Sequence, residues 1–130
     1  MSPDDAELVR VFTAETSSDI GDVTFPFDTG FDVRIDVEAG SALFGTAGAY
    51  KTGVVVRDVT QNNDILVTAV SGALGDANWP SQKHTFVFPV AAVGSARTDD
   101  QCEVRAFLTV RAINPDASFA TSPTFLITTS

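Results

Sequence analysis

A chain of 130 residues carrying eight basic and seventeen acidic side chains, net charge −9, has the size at which one hydrophobic core buries roughly two-thirds of the unfolded surface. Its 44% hydrophobic content is ordinary for a globular domain, and no run approaches the ~18 apolar residues of a membrane-spanning helix. A field of that sign repels phosphate backbones and anionic headgroups. The composition therefore argues against nucleic acid and membrane partners and leaves a protein partner, self-association or a glycan.

The opening, Met1-Ser2-Pro3-Asp4-Asp5-Ala6-Glu7, holds acids and Pro where a secretory leader holds a basic cluster and an apolar run. It points to the cytoplasm, or to secretion if a leader has been removed. Only Met1–Val9 offers a turn of helix, with Asp4 or Asp5 as its cap. Beyond it, apolar residues recur at every second position. In Phe31 to Glu38 the side chains Phe31, Val33, Ile35 and Val37 face one way, and Asp32, Arg34, Asp36 and Glu38 the other, the signature of a strand with one wet face. Glu103 to Ala112 repeats it, with Val104, Ala106, Leu108, Val110 and Ala112 inward, and Phe107 set outward between Arg105, Thr109 and Arg111.

Leu8–Glu15, Val23–Phe27, Tyr50–Val59, Asp64–Val70, His84–Val90 and Thr124–Thr129 are further strands, rich in Val, Ile, Thr and Phe. Gln61-Asn62-Asn63 makes a hairpin turn between two of them. Strands of this number and spacing predict an all-β chain. The reading is a single domain over residues 1–130, an immunoglobulin-like two-sheet antiparallel sandwich of seven to eight strands, with a β-barrel as the alternative.

The segments Phe27 to Ala39 and Gly53 to Asp58, with the closing Ser122-Pro123-Thr124-Phe125-Leu126-Ile127, resemble paired strands in the carbohydrate-binding domain at the end of some polysaccharide ABC-transporter ATPases. That resemblance implies an immunoglobulin-like sandwich and a glycan ligand. It implies no ligand residue, and the attached ATPase is absent. The Cys pair and central Trp of true immunoglobulin domains are also missing, since Cys102 is alone and Trp79 falls in a predicted loop.

Nothing in the sequence announces catalysis, a metal site or a cofactor. The single His and single Cys stand far apart, so no metal spacing can be built from them. His84 starts an apolar strand and reads as a strand-edge residue. Cys102 follows Asp99 and Asp100, acids that raise a thiol pKa and blunt its nucleophilicity. Turn carboxylates such as Asp19, Asp22, Asp28 and Asp32 lack the spacing of a calcium loop.

Candidate sites come instead from topology. In sandwich order the loops Ala39–Ala49, Ser71–Lys83 and Ile113–Pro123 share one end, a rim carrying Leu43, Phe44, Trp79 and Phe119 among Asp76, Asn78, Asn114 and Asp116. Exposed aromatics beside short polar groups suit sugar stacking or protein binding. Of these, Phe44, Asp76, Asn78, Trp79, Asn114 and Phe119 are the candidate ligand-binding residues. Arg105, Phe107 and Arg111 are the candidate interface, on a sheet face that packs against a partner or a second copy. The expectation is a non-catalytic binding or assembly module acting through protein–protein contact, with a carbohydrate-binding module as the alternative.

Overall fold

The computed structural model describes residues 5–111 and 115–129. Among them nine strands form: β1 (Ala6–Glu15), β2 (Thr24–Pro26), β3 (Phe31–Ala39), β4 (Ala49–Asp58), β5 (Asn63–Ala73), β6 (Lys83–Val90), β7 (Gln101–Arg111), β8 (Asp116–Thr121) and β9 (Phe125–Thr128). A short helix α1 (Ser41–Gly45) and a 3-10 turn (Ser95–Arg97) interrupt the connections. One sheet orders β1-β3-β6. The other runs β2-β9-β7-β4-β5, with β8 also on β7. The two sheets keep separate edges, so the fold is a sandwich and no barrel closes.

The alternation read from sequence is the alternation built. Phe31, Val33, Ile35 and Val37 of β3 meet Val54, Val56, Val104, Leu108 and Val110 of the larger sheet in one core. Asn62, at φ 58°, makes the β4–β5 turn, a left-handed position that Asn tolerates well.

Several expectations are corrected. Residues 6–9 lie in β1 and form no helix. The connection before β4 holds α1, which places Leu43 in the core. Residues 116–121, expected as loop, form β8 on the ladder of β7; its Ala, Ser and Thr residues give little β signal alone, and pairing supplies what propensity does not. The pairing of β2 with β9 is parallel, so the larger sheet is mixed. The segments around β3 and β4 that resemble paired strands lie in opposite sheets. Asp32, expected in solvent, is buried, because its carboxylate accepts the amide of Ser17 at 2.9 Å.

The two long sides of the sandwich differ. Along one, β8 side chains bond the edge of β1: the amides of Ala6 and Leu8 donate to Asp116 Oδ2 at 2.9 Å and Ser118 Oγ at 3.1 Å. Along the other, β5 and β6 face each other without pairing. There two hollows of about 440 and 250 Å³ lie between the strands, lined by Val70, Phe86 and Phe88, and by Ile65, Leu66 and Val93.

Candidate functional site

The connections β3–β4 and β5–β6 do gather at one end of the sandwich, where the amide of Leu74 donates to the carbonyl of Gly48 at 3.0 Å. They do not make an aromatic platform. Trp79 is 0% exposed; its indole packs edge-on against Tyr50 and Phe86, ring centroids 5.1 and 5.8 Å away. The reason is area: an indole left in water at the end of an open core gives up a large apolar payload. Leu43 is buried beside it and Phe44 is half-buried against the same core.

Asp76 holds this end together. Its carboxylate accepts the amides of Ala73, Asn78 and Trp79 at 3.1, 2.9 and 2.9 Å and the hydroxyl of Tyr50 at 3.3 Å. Burial opposes its charge, but those four donors outweigh burial and hold its pKa below the usual carboxylate range. Tyr50 is pushed up to about 12 by burial, by the Asp76 charge and by the hydrogen bond itself. Gly72 makes the room, since a Cβ there would strike the Asp76 carboxylate. Asn78 is exposed. Asn114 lies outside the described residues. Of the six candidate ligand residues, the end of the sandwich thus brings together Phe44, Asp76, Asn78 and Trp79, and it spends Asp76 and Trp79 on its own architecture.

Phe119 is elsewhere. It sits midway along β8, directly opposite Phe107 of β7, which in turn faces Gly53 of β4, itself opposite Ala69 of β5. Directly opposed residues share a face, so these four form one row across the outer surface of the larger sheet. The adjacent row is Val67, Val55, Arg105 and Thr121. Phe119 is 75% exposed and Val67 65%, while Phe107 is half-buried. Close strand approach needs Gly53, whose Cβ would run into the Thr68 carbonyl.

Lys51, Arg57, Arg105 and Arg111 also point from this face, half of the chain's basic residues. Its acids are Asp64 and Glu103, paired at 3.0 Å with Arg57 and Arg105. On a chain of net charge −9 this is a locally basic surface with an apolar centre. The expected interface residues Arg105, Phe107 and Arg111 all lie on it. Phe119 joins them. Its position was readable only once β8 was paired.

Sequence reasoning missed a buried acid pair at the opposite end. Asp58 is 0% exposed and Asp100 7%. Arg97 donates to Asp58 Oδ2 at 2.8 Å, the Gln61 amide to Asp58 Oδ1 at 2.9 Å, and Gln61 Nε2 to Asp100 Oδ2 at 2.7 Å. Burial opposes charge on Asp58, yet bonds from Asp100, Gln61 and Arg97 hold its pKa low. Asp100 is raised, first by its hydrogen bond to Asp58 and then by burial. Asp58 is thus favoured as the anion facing Arg97, and Asp100 is the harder of the two to ionise. The signal was phase: Asp58 continues the inward series Val54, Val56, and Asp100 precedes the inward series Cys102, Val104.

Cys102 is fully buried and its thiol is pushed up to about 12, chiefly by burial and then by Asp58 and Asp100. Of the acidic neighbours read from sequence, Asp100 contributes, but desolvation is the larger cause. His84 is half-buried with its ring 4.8 Å from Phe86; burial lowers its pKa and the Asp76 charge opposes that. Among the described residues no helix is long and apolar enough to cross a membrane, and no group of three or more His, Cys, Asp or Glu side chains is placed to hold a metal ion. No protein-family model matches the chain, and no curated protein matches it.

Proposed function

We propose that this domain is a non-catalytic interaction module that assembles with protein partners through the outer face of its larger sheet. The observation that carries this reading is the cross-strand pair Phe107–Phe119, with Phe119 75% exposed inside a rim of Lys51, Arg57, Arg105 and Arg111. Aromatics set in a ring of Arg are the composition of interaction hot spots. The basic rim fits an acidic partner surface, which a second copy of net charge −9 also presents.

Sedimentation of the purified chain over a range of concentrations tests the face. Phe107→Asp and Phe119→Asp should each weaken association by about tenfold or more, and salt should weaken it too by screening the rim. Variants that sediment as the wild type at every concentration and salt would overturn the reading. The carbohydrate-binding alternative rests on the faint strand resemblance and on Phe44 and Asn78 at the rim. A glycan array decides it: a hit abolished by Phe44→Ala and untouched by Phe119→Asp would favour that alternative.

A further inference from the structure

β5 is an edge strand of the larger sheet. Its eleven residues pair with β4 alone. The Leu74 amide donates to Gly48 across the β4–β5 ladder, and antiparallel ladders alternate. Even-numbered residues of β5 therefore bond toward β4, and Val67, Ala69 and Ser71 direct their N–H and C=O groups away from it.

Other edges in the sandwich are managed. Asp116 and Ser118 occupy amides of β1. The free edge of β6 carries Pro89 and Lys83, and β2 is three residues long with Pro26 at its end. Pro, charge and shortness are the usual protections against edge pairing. After Asp64, β5 has neither a charge nor a Pro.

We infer that β5 is the strand through which two copies of this chain pair, antiparallel about a two-fold axis at Ala69. That register sets Ala69 against its own copy and Val67 against Ser71 of the second copy, making about six inter-strand hydrogen bonds from the outward-directed groups of Val67, Ala69 and Ser71. The inference rests on the reading of the domain as an assembly module and names its first partner.

Charge and packing both select a second copy. Two chains of −9 repel overall, so copies meet best where acids are few or where, as on the outer face, basic residues offset them. Residues 65–73 carry no charged side chain, and the neighbouring face is basic. A two-fold here also keeps both small sheets on the same side. In this register the half-exposed Val70, beside Phe86 and Phe88 in the open side, lies opposite Thr68 of the second copy and diagonal to its own counterpart, so the two Val70 side chains lose water together. A foreign strand would satisfy one edge without bringing a second apolar groove.

Single cysteines at Val67, Ala69 and Ser71, oxidised in the full chain, test the register. Ala69→Cys should cross-link, because its copy lies directly opposite at about 5.5 Å between Cα atoms. Val67→Cys and Ser71→Cys should link at least severalfold less, their copies lying about 14 Å apart along the strands. Native Cys102 is fully buried and gives no background. Val67→Lys, at a position already 65% exposed, should turn the dimer into a folded monomer. Salt should strengthen this pairing by screening the −9 repulsion, opposite in sign to its effect on the outer face.

Equal linking at all three positions, a dimer indifferent to Val67→Lys, or a monomer at every concentration would overturn the inference. Its failure is separable from that of the outer face. Phe119→Asp, about three strands from the edge, should leave cross-linking at 69 undiminished, whereas loss of association in Phe119→Asp with no linking at 69 would keep the face and remove the β5 pair.

Discussion

The indole of Trp79 stands edge-on to the ring of Tyr50, centroids 5.1 Å apart and planes at 68°, and Asp76 bonds both residues, one through its amide and the other through its hydroxyl. Tyr50, distant in sequence, is thereby tied to the Asp76–Trp79 turn, and the three residues seal one end of the sandwich. The single Trp and single Tyr of the chain report on this seal.

Trp79 fluorescence should be blue-shifted and resistant to acrylamide in the native protein, and should move to the red on unfolding. Trp79→Ala should cost about 3–5 kcal/mol, measured by urea denaturation. A native spectrum like that of free indole in water would contradict the burial.

Tyr50 gives an alkaline limit to stability. Its folded pKa of about 12 lies above the ordinary 10.0, so the neutral phenol favours the folded state. That contribution is complete below pH 10 and is lost as pH rises toward 12. Ultraviolet titration should place tyrosinate formation near 12 in the native chain and lower in Asp76→Asn, which removes the adjacent charge.

Arg97 and Asp100 pull in opposite directions on stability. Arg97→Met leaves the fully buried Asp58 without its 2.8 Å ion-pair partner and should cost about 3 kcal/mol. Asp100→Asn should raise the melting temperature at pH 7. The raised pKa of Asp100 means that its ionisation penalises the folded state, a penalty absent below the unfolded value near 3.8 and growing as pH rises through the folded one. The gain from Asn should therefore vanish in acid. Asp58 runs the other way: its lowered pKa favours the folded state above about 3.8, and that help fades as pH falls below it.

Cys102 should be silent in the folded state. With its thiol buried and at about 12, alkylation by a thiol reagent at pH 8 should be at least a hundredfold slower than for a free cysteine, and should track unfolding when urea is added. Prompt native labelling would contradict that environment.

The strands were legible wherever one face is wet and the other dry, as in Phe31 to Glu38, because the period of two writes itself into residue type. β8 was not, since Ala117, Ser118 and Ala120 neither demand nor resist a sheet, and only the β7 ladder places them. That one omission sent Phe119 to a loop instead of opposite Phe107. Trp79 misled for a different reason: composition marks its segment as a loop, but only the open end of the core decides that the side chain turns inward. The acid pair was written in phase, Asp58 being even-numbered in a strand whose even residues face the core. Charge argued for solvent there, and Arg97, distant in sequence, settled the conflict.

The parallel meeting of β2 with β9 has a consequence for how this chain comes into being. Phe25 and Phe31 stack at 4.6 Å, and Phe125 closes on them at 5.9 and 5.3 Å, so a cluster begun at Phe25 waits about a hundred residues for its third ring. Until β9 arrives, Phe25, Phe31 and Cys102 lack their cover. Such late, distant closure belongs to slow folders. A nascent chain stalled before Phe125 would show the ribosome's surroundings an open, greasy end, and so would be the form most dependent on a chaperone.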